Sequence, residues 1–294
     1  MRDVVIVPCY ERPEYTRVCL EYLSWARGIE DKEVWLCQDQ HVYDAFGQTV
    51  FNMAPNVDFG YRVYAEKFRY ILKEDSLGFK KDSYGNSENI IQSLKLAYDS
   101  GAERIFLVED DIMVAPDFFE WHEAVLEEVK PLVSCATSLN RSAHFQINGP
   151  NAMDESIKNP NAYKKVWGPY SSHAAAFNKK DLGELLVVIN QQLEWGEWRS
   201  GKEQDILIQH IMGMISFPNG GSVWPYVPRA WNVGLHSYHI NTGMKFNGTL
   251  EEKCDALRRA ITDPVKLQSM SGGNKAITPV PTEFAERTGP LVRR

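Results

Sequence analysis

The chain has 294 residues, of which 44% are hydrophobic and 24% are charged, so it can bury a substantial core and is neither disordered nor of low complexity. Lysine and arginine total 32 against 39 acidic residues, and this formal charge of −7 excludes bulk electrostatic attraction to nucleic acid or to an anionic membrane. The length is typical of one large domain or two small ones.

Neither a membrane anchor nor a disulfide framework is expected from the sequence. No stretch reaches the roughly 18 consecutive apolar residues of a membrane-spanning helix, and Pro8 interrupts the first apolar run too early for a signal peptide. The cysteines are odd in number and widely spaced, which predicts reduced, buried thiols rather than disulfides or a zinc site. They are Cys9, Cys19, Cys37, Cys135 and Cys254. We therefore expect a cytoplasmic protein that does not insert into a membrane.

Three apolar runs in the first half predict strands of a parallel sheet. The runs cover residues 4–7, 34–37 and 105–108, and each is continuous rather than alternating. Continuous apolar runs are typical of strands that are covered on both faces. A fourth run at residues 132–136 is expected to extend the same sheet.

Helical patterns lie between and after these runs. The predicted apolar stripes are Val18, Tyr22, Trp25 and Ala26 before Gly28; Ile90, Ile91, Leu94 and Tyr98 before Gly101; and Phe118, His122, Val125 and Val129 after Pro116. The two glycines are expected to end their helices, and the proline fits a first helical turn. Strands that alternate with helices imply right-handed crossovers and a three-layer α/β sandwich.

The second half has weaker patterns. Residues 140–163 are polar and rich in asparagine and proline, which predicts a loop over one face. Helices are expected near residues 181–193 and 205–215. Thr249 and Glu252 have the spacing of a capping box at the start of a further helix. Residues 271–294 are expected to form an extended tail.

The residues after each predicted strand are the most informative, because parallel α/β sheets bind ligands at the carboxyl ends of their strands. Residues 8–13 follow the first strand, residues 38–40 the second, and residues 109–111 the third. No glycine-rich loop of the dinucleotide or Walker type follows any of these strands, which disfavours an ordinary dinucleotide-binding fold.

Glu109, Asp110 and Asp111 are the strongest local signal. Three adjacent carboxylates repel one another, and their burial at the end of a strand is costly without compensation. Mg²⁺ or Mn²⁺, which prefer hard oxygen ligands, would supply that compensation. A solvated acidic turn that caps the next helix accounts for the same residues, and position alone does not decide between the two.

Several segments resemble nucleotide-sugar glycosyltransferases of the GT-A fold. Residues 5–13 resemble the opening strand of these enzymes, residues 107–111 with 115–119 resemble the metal-binding segment of the N-acetylglucosaminyltransferase I family, residues 36–39 resemble its base-binding strand end, and Pro228, Arg229, residues 232–234 and His236 resemble its C-terminal active-site segment. The resemblance covers about residues 4–245 in discontinuous blocks.

This resemblance implies a GT-A type three-layer sandwich with a mostly parallel, Rossmann-like central sheet. Residues 1–250 would form the glycosyltransferase domain, with a nucleotide-sugar-binding half at 1–130 and an acceptor-binding half at 131–250. A C-terminal helix and extended tail would occupy residues 251–294. The family has a membrane anchor and stem that are not expected here, so its Golgi setting and protein-glycan acceptor are not carried over.

The resemblance also implies a role for each carboxylate of the acidic triplet. Asp111 would coordinate the Mn²⁺ or Mg²⁺ that bridges the two phosphates of a UDP-sugar. Asp110 would lie near the ribose and the sugar, and Glu109 would support the donor sugar. A diphosphate leaving group needs its charge neutralised, and a cation does this without proton transfer.

Donor contacts outside the triplet follow from the same resemblance. Asp39 would hydrogen-bond the base, uracil, while Pro8, Tyr10 and Arg12 would flank the nucleotide. His236 is a candidate second metal ligand, since many GT-A enzymes complete the coordination with a C-terminal histidine. A purely structural histidine is the alternative.

The second half is expected to bind the acceptor. Inverting transfer needs one carboxylate that deprotonates the incoming hydroxyl while it attacks an oxocarbenium-like carbon. Glu197 resembles the Trp-flanked acidic base of the family, whereas Asp205 resembles a Glu-x-Asp helix start in family-2 enzymes. Trp195 and Trp198 flank Glu197 and are candidates to stack on a sugar ring, although tryptophans also pack cores.

The resemblance therefore implies a metal-dependent, inverting glycosyltransferase that moves a sugar from a UDP-sugar to a glycan or a small hydroxyl compound. A soluble phage-type enzyme that modifies a hydroxymethylated base in DNA is one alternative, and the net charge argues against it. A non-catalytic nucleotide-sugar-binding protein is another, which would not need the acidic triplet. A nucleotidyltransferase is disfavoured because no phosphate loop follows the first strand. The expected location is the cytoplasm of a bacterium or of a phage-infected host.

Overall fold

A computed structural model of the chain describes residues 2–9, 13–38, 69–70, 85–129, 131, 133–136, 163–166, 170–194, 207–208, 210–212, 221–225, 229–233, 249–252 and 254–255. In chain order they form strand β1 (Asp3–Cys9), helix α1 (Pro13–Trp25), a 3₁₀ turn (Ile29–Asp31), β2 (Lys32–Gln38), β3 (Arg69–Tyr70), α2 (Gly85–Asp99) and β4 (Arg104–Val108). They continue with β5 (Ile112–Val114), α3 (Phe118–Val129), β6 (Val133–Cys135), β7 (Tyr163–Val166), β8 (Ala174–Asn178), α4 (Lys179–Glu194), β9 (Ser222–Pro225) and β10 (Ala230–Asn232).

Eight of the ten described strands form one sheet, in the order β3-β2-β1-β4-β8-β6-β9-β7. Strand β1 is parallel to both of its neighbours, β2 and β4, and the pairs β2–β3 and β6–β9 are also parallel. Strand β8 is antiparallel to β4 and to β6, and β7 is antiparallel to β9. Strands β5 and β10 form a separate antiparallel ribbon. The predicted mostly parallel sheet is confirmed.

Side chains of the central strands alternate between two hydrophobic layers, one on each face of the sheet. Val5 and Val7 of β1 pack with α1 and α3, whereas Val4 and Ile6 pack with α2 and α4. Since both faces of β1 are covered by helices, every position of its apolar run is buried. The predicted three-layer α/β sandwich is confirmed.

Two predicted element ends are wrong by a few residues. Pro8 does not end the first strand, which continues to Cys9. The hydrogen-bond ladder between β1 and β4 already ends at the pair Ile6–Leu107. Pro8, which has no N–H group, lies beyond that ladder and is therefore tolerated in the strand. Helix α3 begins at Phe118 rather than at Pro116, which lies in the preceding turn.

Several local signals are confirmed. Gly28 and Gly101, the predicted helix stops, have positive φ angles of 82° and 88° after α1 and α2, a conformation that glycine adopts without strain. The capping box is reciprocal: the Thr249 N–H donates to Glu252 Oε2 (2.8 Å), and the Glu252 N–H donates to Thr249 Oγ1 (3.2 Å).

The predictions drawn from the cysteines and from hydropathy can also be compared with the structure. All five cysteines are buried, as predicted, and none of them forms a disulfide. None of the helices in the described ranges combines the length and the apolar character that a membrane crossing requires.

His122 is a fully buried histidine on the apolar stripe of α3. Its Nδ1 shares a hydrogen bond of 2.6 Å with Ser134 Oγ on β6, and its ring packs edge-on against Phe118 with centroids 4.6 Å apart. Burial, reinforced by the positive charge of Arg229, lowers the pKa of His122 to about 3. The imidazole is therefore neutral in the folded protein at every pH near neutrality.

The buried, neutral imidazole makes stability dependent on pH. Above pH 6.5, the ordinary value, both folded and unfolded states hold a neutral ring; as the pH falls from 6.5 towards 3, only the unfolded state gains a proton. The free energy of unfolding should thus fall by about 1.4 kcal/mol per pH unit from this group. The measurement is the free energy of unfolding from urea titrations. Between pH 7 and pH 5 it should fall by about 2 kcal/mol more for wild type than for His122→Gln.

The matched control is His210→Gln, which replaces an exposed histidine. That variant removes an exposed imidazole and shows how far the loss of a histidine outside the core changes the slope. Identical slopes for wild type and His122→Gln would contradict the assignment of the pH dependence to His122.

Candidate functional site

The site lies where the direction of the strand connections reverses. From β1 the chain adds β2 and β3 on one side, and β4 pairs on the other side. Helix α1, which follows β1, covers one face of the sheet, whereas α2, which precedes β4, covers the other. The carboxyl ends of β1 and β4 therefore flank the crevice where α/β sheets bind ligands. Pro8 and Cys9 end β1 at this crevice, and Glu109 follows β4 there.

The acidic turn (residues 109–111) joins β4 to β5. Asp110 and Asp111 are buried, with 3% and 8% of their surfaces exposed, and Glu109 is half-buried. Strand β5 and a further turn separate Asp111 from the first residue of α3. The alternative of a solvated acidic turn that caps the next helix is therefore wrong.

The backbone of the acidic turn is fixed from three sides. The Glu109 N–H donates to the carbonyl of His173 (3.1 Å), just before β8, and the Ile112 N–H donates back to the carbonyl of Glu109 (3.2 Å). The Val233 N–H, just after β10, donates to the carbonyl of Asp111 (2.8 Å). The turn is thus held in one conformation by segments that are distant in sequence.

Two of the three carboxylates accept hydrogen bonds from neutral side chains on those same segments. The Ser172 hydroxyl donates to Glu109 Oε1. Asn232 Nδ2 donates to Asp111 Oδ1 at 3.0 Å. Neutral donors orient a carboxylate without cancelling its charge.

The 229–233 segment that carries Asn232 is itself anchored by its backbone. The Arg229 N–H donates to the carbonyl of Ala136 (2.8 Å), and the Ala115 N–H donates to the carbonyl of Arg229 (2.9 Å). In the ribbon, Asn232 is paired with Ile112, the residue after the acidic turn. The segment therefore bridges the acidic turn and the end of β6.

A buried ion pair fastens this segment to the start of α3. Arg229 Nη2 lies 3.5 Å from Asp117 Oδ2, and these side chains are only 1% and 3% exposed. The guanidinium carbon of Arg229 also lies 5.5 Å from the ring centroid of Trp121, a cation–π contact. Burial of both charges is costly, so each depends on its partner.

Of the predicted site residues, the structure brings Pro8, Glu109, Asp110 and Asp111 to one edge of the sheet. The remaining candidates lie outside the described residues: Tyr10, Arg12, Asp39, Trp195, Trp198, Glu197, Asp205 and His236. In sequence, Tyr10 follows the last residue of β1 and Asp39 follows the last residue of β2.

Sequence reasoning assigned no role to Ser172, Asn232 or Asp117. Asn232 belongs to a segment that the family resemblance had marked, which was a usable signal. Ser172 carried none, because its position beside Glu109 follows from the antiparallel pairing of β8 with β4.

The donor set at the acidic turn fits a hard divalent cation. The available oxygens are carboxylates, the ligands that Mg²⁺ and Mn²⁺ prefer. The described residues contain no cluster of three or more potential metal-ligating side chains. Sites of this kind bind Mg²⁺ through one or two carboxylates and complete the coordination with substrate phosphates and water, so an all-protein cage is not required.

Comparison with solved structures finds similar folds. S. aureus TarS 1–349 in complex with UDP-GlcNAc aligns with a TM-score of 0.50 and 14% identity, over 94% of this chain and 69% of that chain. The complex of the same TarS fragment with UDP aligns with the same TM-score and identity, over 94% of this chain and 68% of that chain. A mannosyltransferase from Pyrobaculum calidifontis, in complex with GDP-Man and Mn²⁺, aligns with a TM-score of 0.47 and 14% identity, over 78% of this chain and 57% of that chain. The likeness to TarS establishes a shared fold.

The comparisons by sequence give no relative. No protein-family model matches the chain, and no curated protein matches it. The chain spans 57% of the length of the Pyrobaculum mannosyltransferase and 69% of the TarS fragment.

The buried ion pair leads to a stability prediction. Arg229→Met leaves the Asp117 carboxylate buried without its cation, and this should lower the free energy of unfolding by about 3–5 kcal/mol in urea titrations. The double variant Arg229→Met/Asp117→Leu removes both charges and should recover much of that loss. The exposed pair Lys95–Asp99 is the control, since Lys95→Met should cost within about 1 kcal/mol. A double variant no more stable than Arg229→Met would contradict the coupling.

Proposed function

We propose that this protein is a metal-dependent GT-A glycosyltransferase that moves a sugar from a UDP-sugar to a hydroxyl acceptor with inversion at the anomeric carbon. The observation that carries the proposal is the burial of Asp110 and Asp111 at the carboxyl end of β4, beside the end of β1. Carboxylates have no packing function at that place, whereas a diphosphate bound through a cation needs them there.

Asp111 is the proposed metal ligand, with Asp110 beside it. A bound Mn²⁺ or Mg²⁺ would neutralise the negative charge that develops on the diphosphate as it leaves the sugar. His236 is the proposed second ligand from the protein. It follows Val233 by three residues, and Val233 is hydrogen-bonded to Asp111. Three extended residues span about 10 Å, so the chain length permits His236 to reach the same cation.

The nucleotide is proposed to lie across the ends of β1 and β2, with Pro8, Tyr10 and Arg12 against it. Asp39, directly after β2, would accept the N3–H of uracil. Such a hydrogen bond discriminates between bases, because a wrong base leaves a buried charge unsatisfied. TarS, which shares the fold, has been solved with UDP and with UDP-GlcNAc, and this supports a uridine donor.

The sugar and the acceptor are proposed to meet beside the acidic turn. Glu109, oriented by Ser172, would bind hydroxyls of the donor sugar. Glu197 or Asp205 would take the proton of the acceptor hydroxyl while the oxygen of that hydroxyl bonds to the anomeric carbon. At the same time the bond between the anomeric carbon and the diphosphate would break, which releases UDP. Trp195 and Trp198 would stack on the acceptor, a glycan or a small hydroxyl compound.

Asp111→Asn tests the proposed function directly. The amide oxygen still accepts the hydrogen bond from Asn232, so the fold should be retained, but the charge that holds the cation is lost. Sugar transfer from UDP-sugars should disappear, together with the Mn²⁺-dependent thermal stabilisation by UDP that mass action produces in wild type. Asp99→Asn, a change of the same kind at an exposed helix end, should leave both intact.

The two candidate bases can be separated by their kinetics. Replacing the true base, by Glu197→Gln or Asp205→Asn, should lower kcat by a factor of about 10²–10⁴ while UDP-sugar affinity stays close to that of wild type, because the group acts on the acceptor. The other variant should retain most of its turnover. If both variants keep wild-type rates, neither residue is the base, and the inverting mechanism itself comes into question.

A further inference from the structure

We propose that Asn232 is a positioning residue that orients Asp111 and thereby sets the affinity of the site for its divalent cation. This inference rests on the proposed function, since it assumes that Asp111 binds the metal. Asn232 would act through the carboxylate that its side chain contacts.

The contact itself is specific. Asn232 Nδ2 donates to Asp111 Oδ1 at 3.0 Å, across 121 residues of sequence. Asp111 is 8% exposed, so water competes little for this hydrogen bond. A carboxylate whose one oxygen is fixed by an amide cannot rotate freely, and its lone pairs keep a constant direction. Metal-binding carboxylates are characteristically held by such hydrogen bonds from the surrounding protein.

The backbone keeps donor and acceptor in register. The residue after Asn232 donates its N–H to the carbonyl of Asp111 itself (2.8 Å), and Asn232 is paired with Ile112 in the ribbon. Arg229, at the start of the segment, is bonded to Ala136 and to Ala115. The amide of Asn232 therefore cannot shift relative to Asp111 without breaking backbone hydrogen bonds.

The side-chain amide of Asn232 is an uncharged donor. A lysine or arginine at this position would orient Asp111 equally well, but its charge would neutralise the carboxylate and repel a divalent cation. The arginine of the same segment, Arg229, instead pairs with Asp117 at the start of α3. The 229–233 segment thus gives Asp111 a hydrogen bond and directs its positive charge elsewhere.

The test measures the Mn²⁺ concentration that gives half of the thermal stabilisation by UDP. Asn232→Ala should raise this concentration about 10–100-fold, because the carboxylate loses its fixed orientation. Asn232→Leu, which keeps a side chain of similar size without a donor, should do the same. Asn232→Lys should raise it further. Without ligands, Asn232→Ala and Asn232→Leu should unfold at lower temperatures than wild type, because Asp111 loses a donor. The stabilisation by UDP and Mn²⁺ is therefore measured from the unliganded unfolding temperature of each variant.

Asn178 is a matched control because its side-chain amide also donates one hydrogen bond, to the carbonyl of Leu126 (3.5 Å). It is paired with Arg104, at the end of β4 remote from the acidic turn. Asn178→Ala should keep the half-saturating Mn²⁺ concentration of wild type.

The possible outcomes separate the inference from the proposed function. If Asp111→Asn abolishes the Mn²⁺-dependent stabilisation but Asn232→Ala and Asn232→Leu respond to Mn²⁺ like wild type, Asn232 is only structural and the inference is overturned. If Asp111→Asn still shows the stabilisation, or wild type never does, the proposed metal role of Asp111 is wrong and the inference falls with it.

Discussion

The parallel pairing of β4 with β1 is the constraint on which the rest of the structure depends. It places β4 on the side of β1 opposite to β2, so the carboxyl ends of two central strands meet where the connections diverge. The ladder between them stops at Ile6 and Leu107, although β1 remains paired with β2 to Cys9 and β4 with β8 to Val108, so β1 and β4 are no longer paired with each other at this edge. Glu109 and the two aspartates after it lie at that opening because they follow the last residue of β4 directly.

The antiparallel part of the molecule completes this edge. Strand β8 runs against β4, and its first residues therefore lie beside the end of β4, which brings Ser172 and His173 to Glu109. The ribbon of β5 and β10 does the same for Asp111 from the other direction. A sheet built only of parallel strands would present the acidic turn without these donors, and the burial of its carboxylates would then be far more costly.

Local patterns predict much of the fold, whereas the polar contacts of the site depend on distant pairings. The continuous apolar run of β1, the glycine stop at Gly28 and the capping box at Thr249 each arise from neighbouring residues, and each is confirmed. The contact between Asn232 and Asp111 depends on the register of a short ribbon, which side-chain periodicity does not encode. The acidic triplet itself was visible in sequence, but its burial was not, because a solvated turn has the same composition.

The sequence separation of 121 between Asp111 and Asn232 also imposes an order on the biogenesis of the site. During synthesis the acidic turn emerges from the ribosome well before residues 229–233, so a nascent chain that has already formed β1, β2 and β4 carries a turn without its ribbon partner. Closing a loop of this length is entropically expensive and occurs late in folding. The edge of the sheet that carries the acidic turn is thus complete only after residues 229–233 have been made, and a chain that stops short of residue 229 would lack the donors that this segment gives to Asp111.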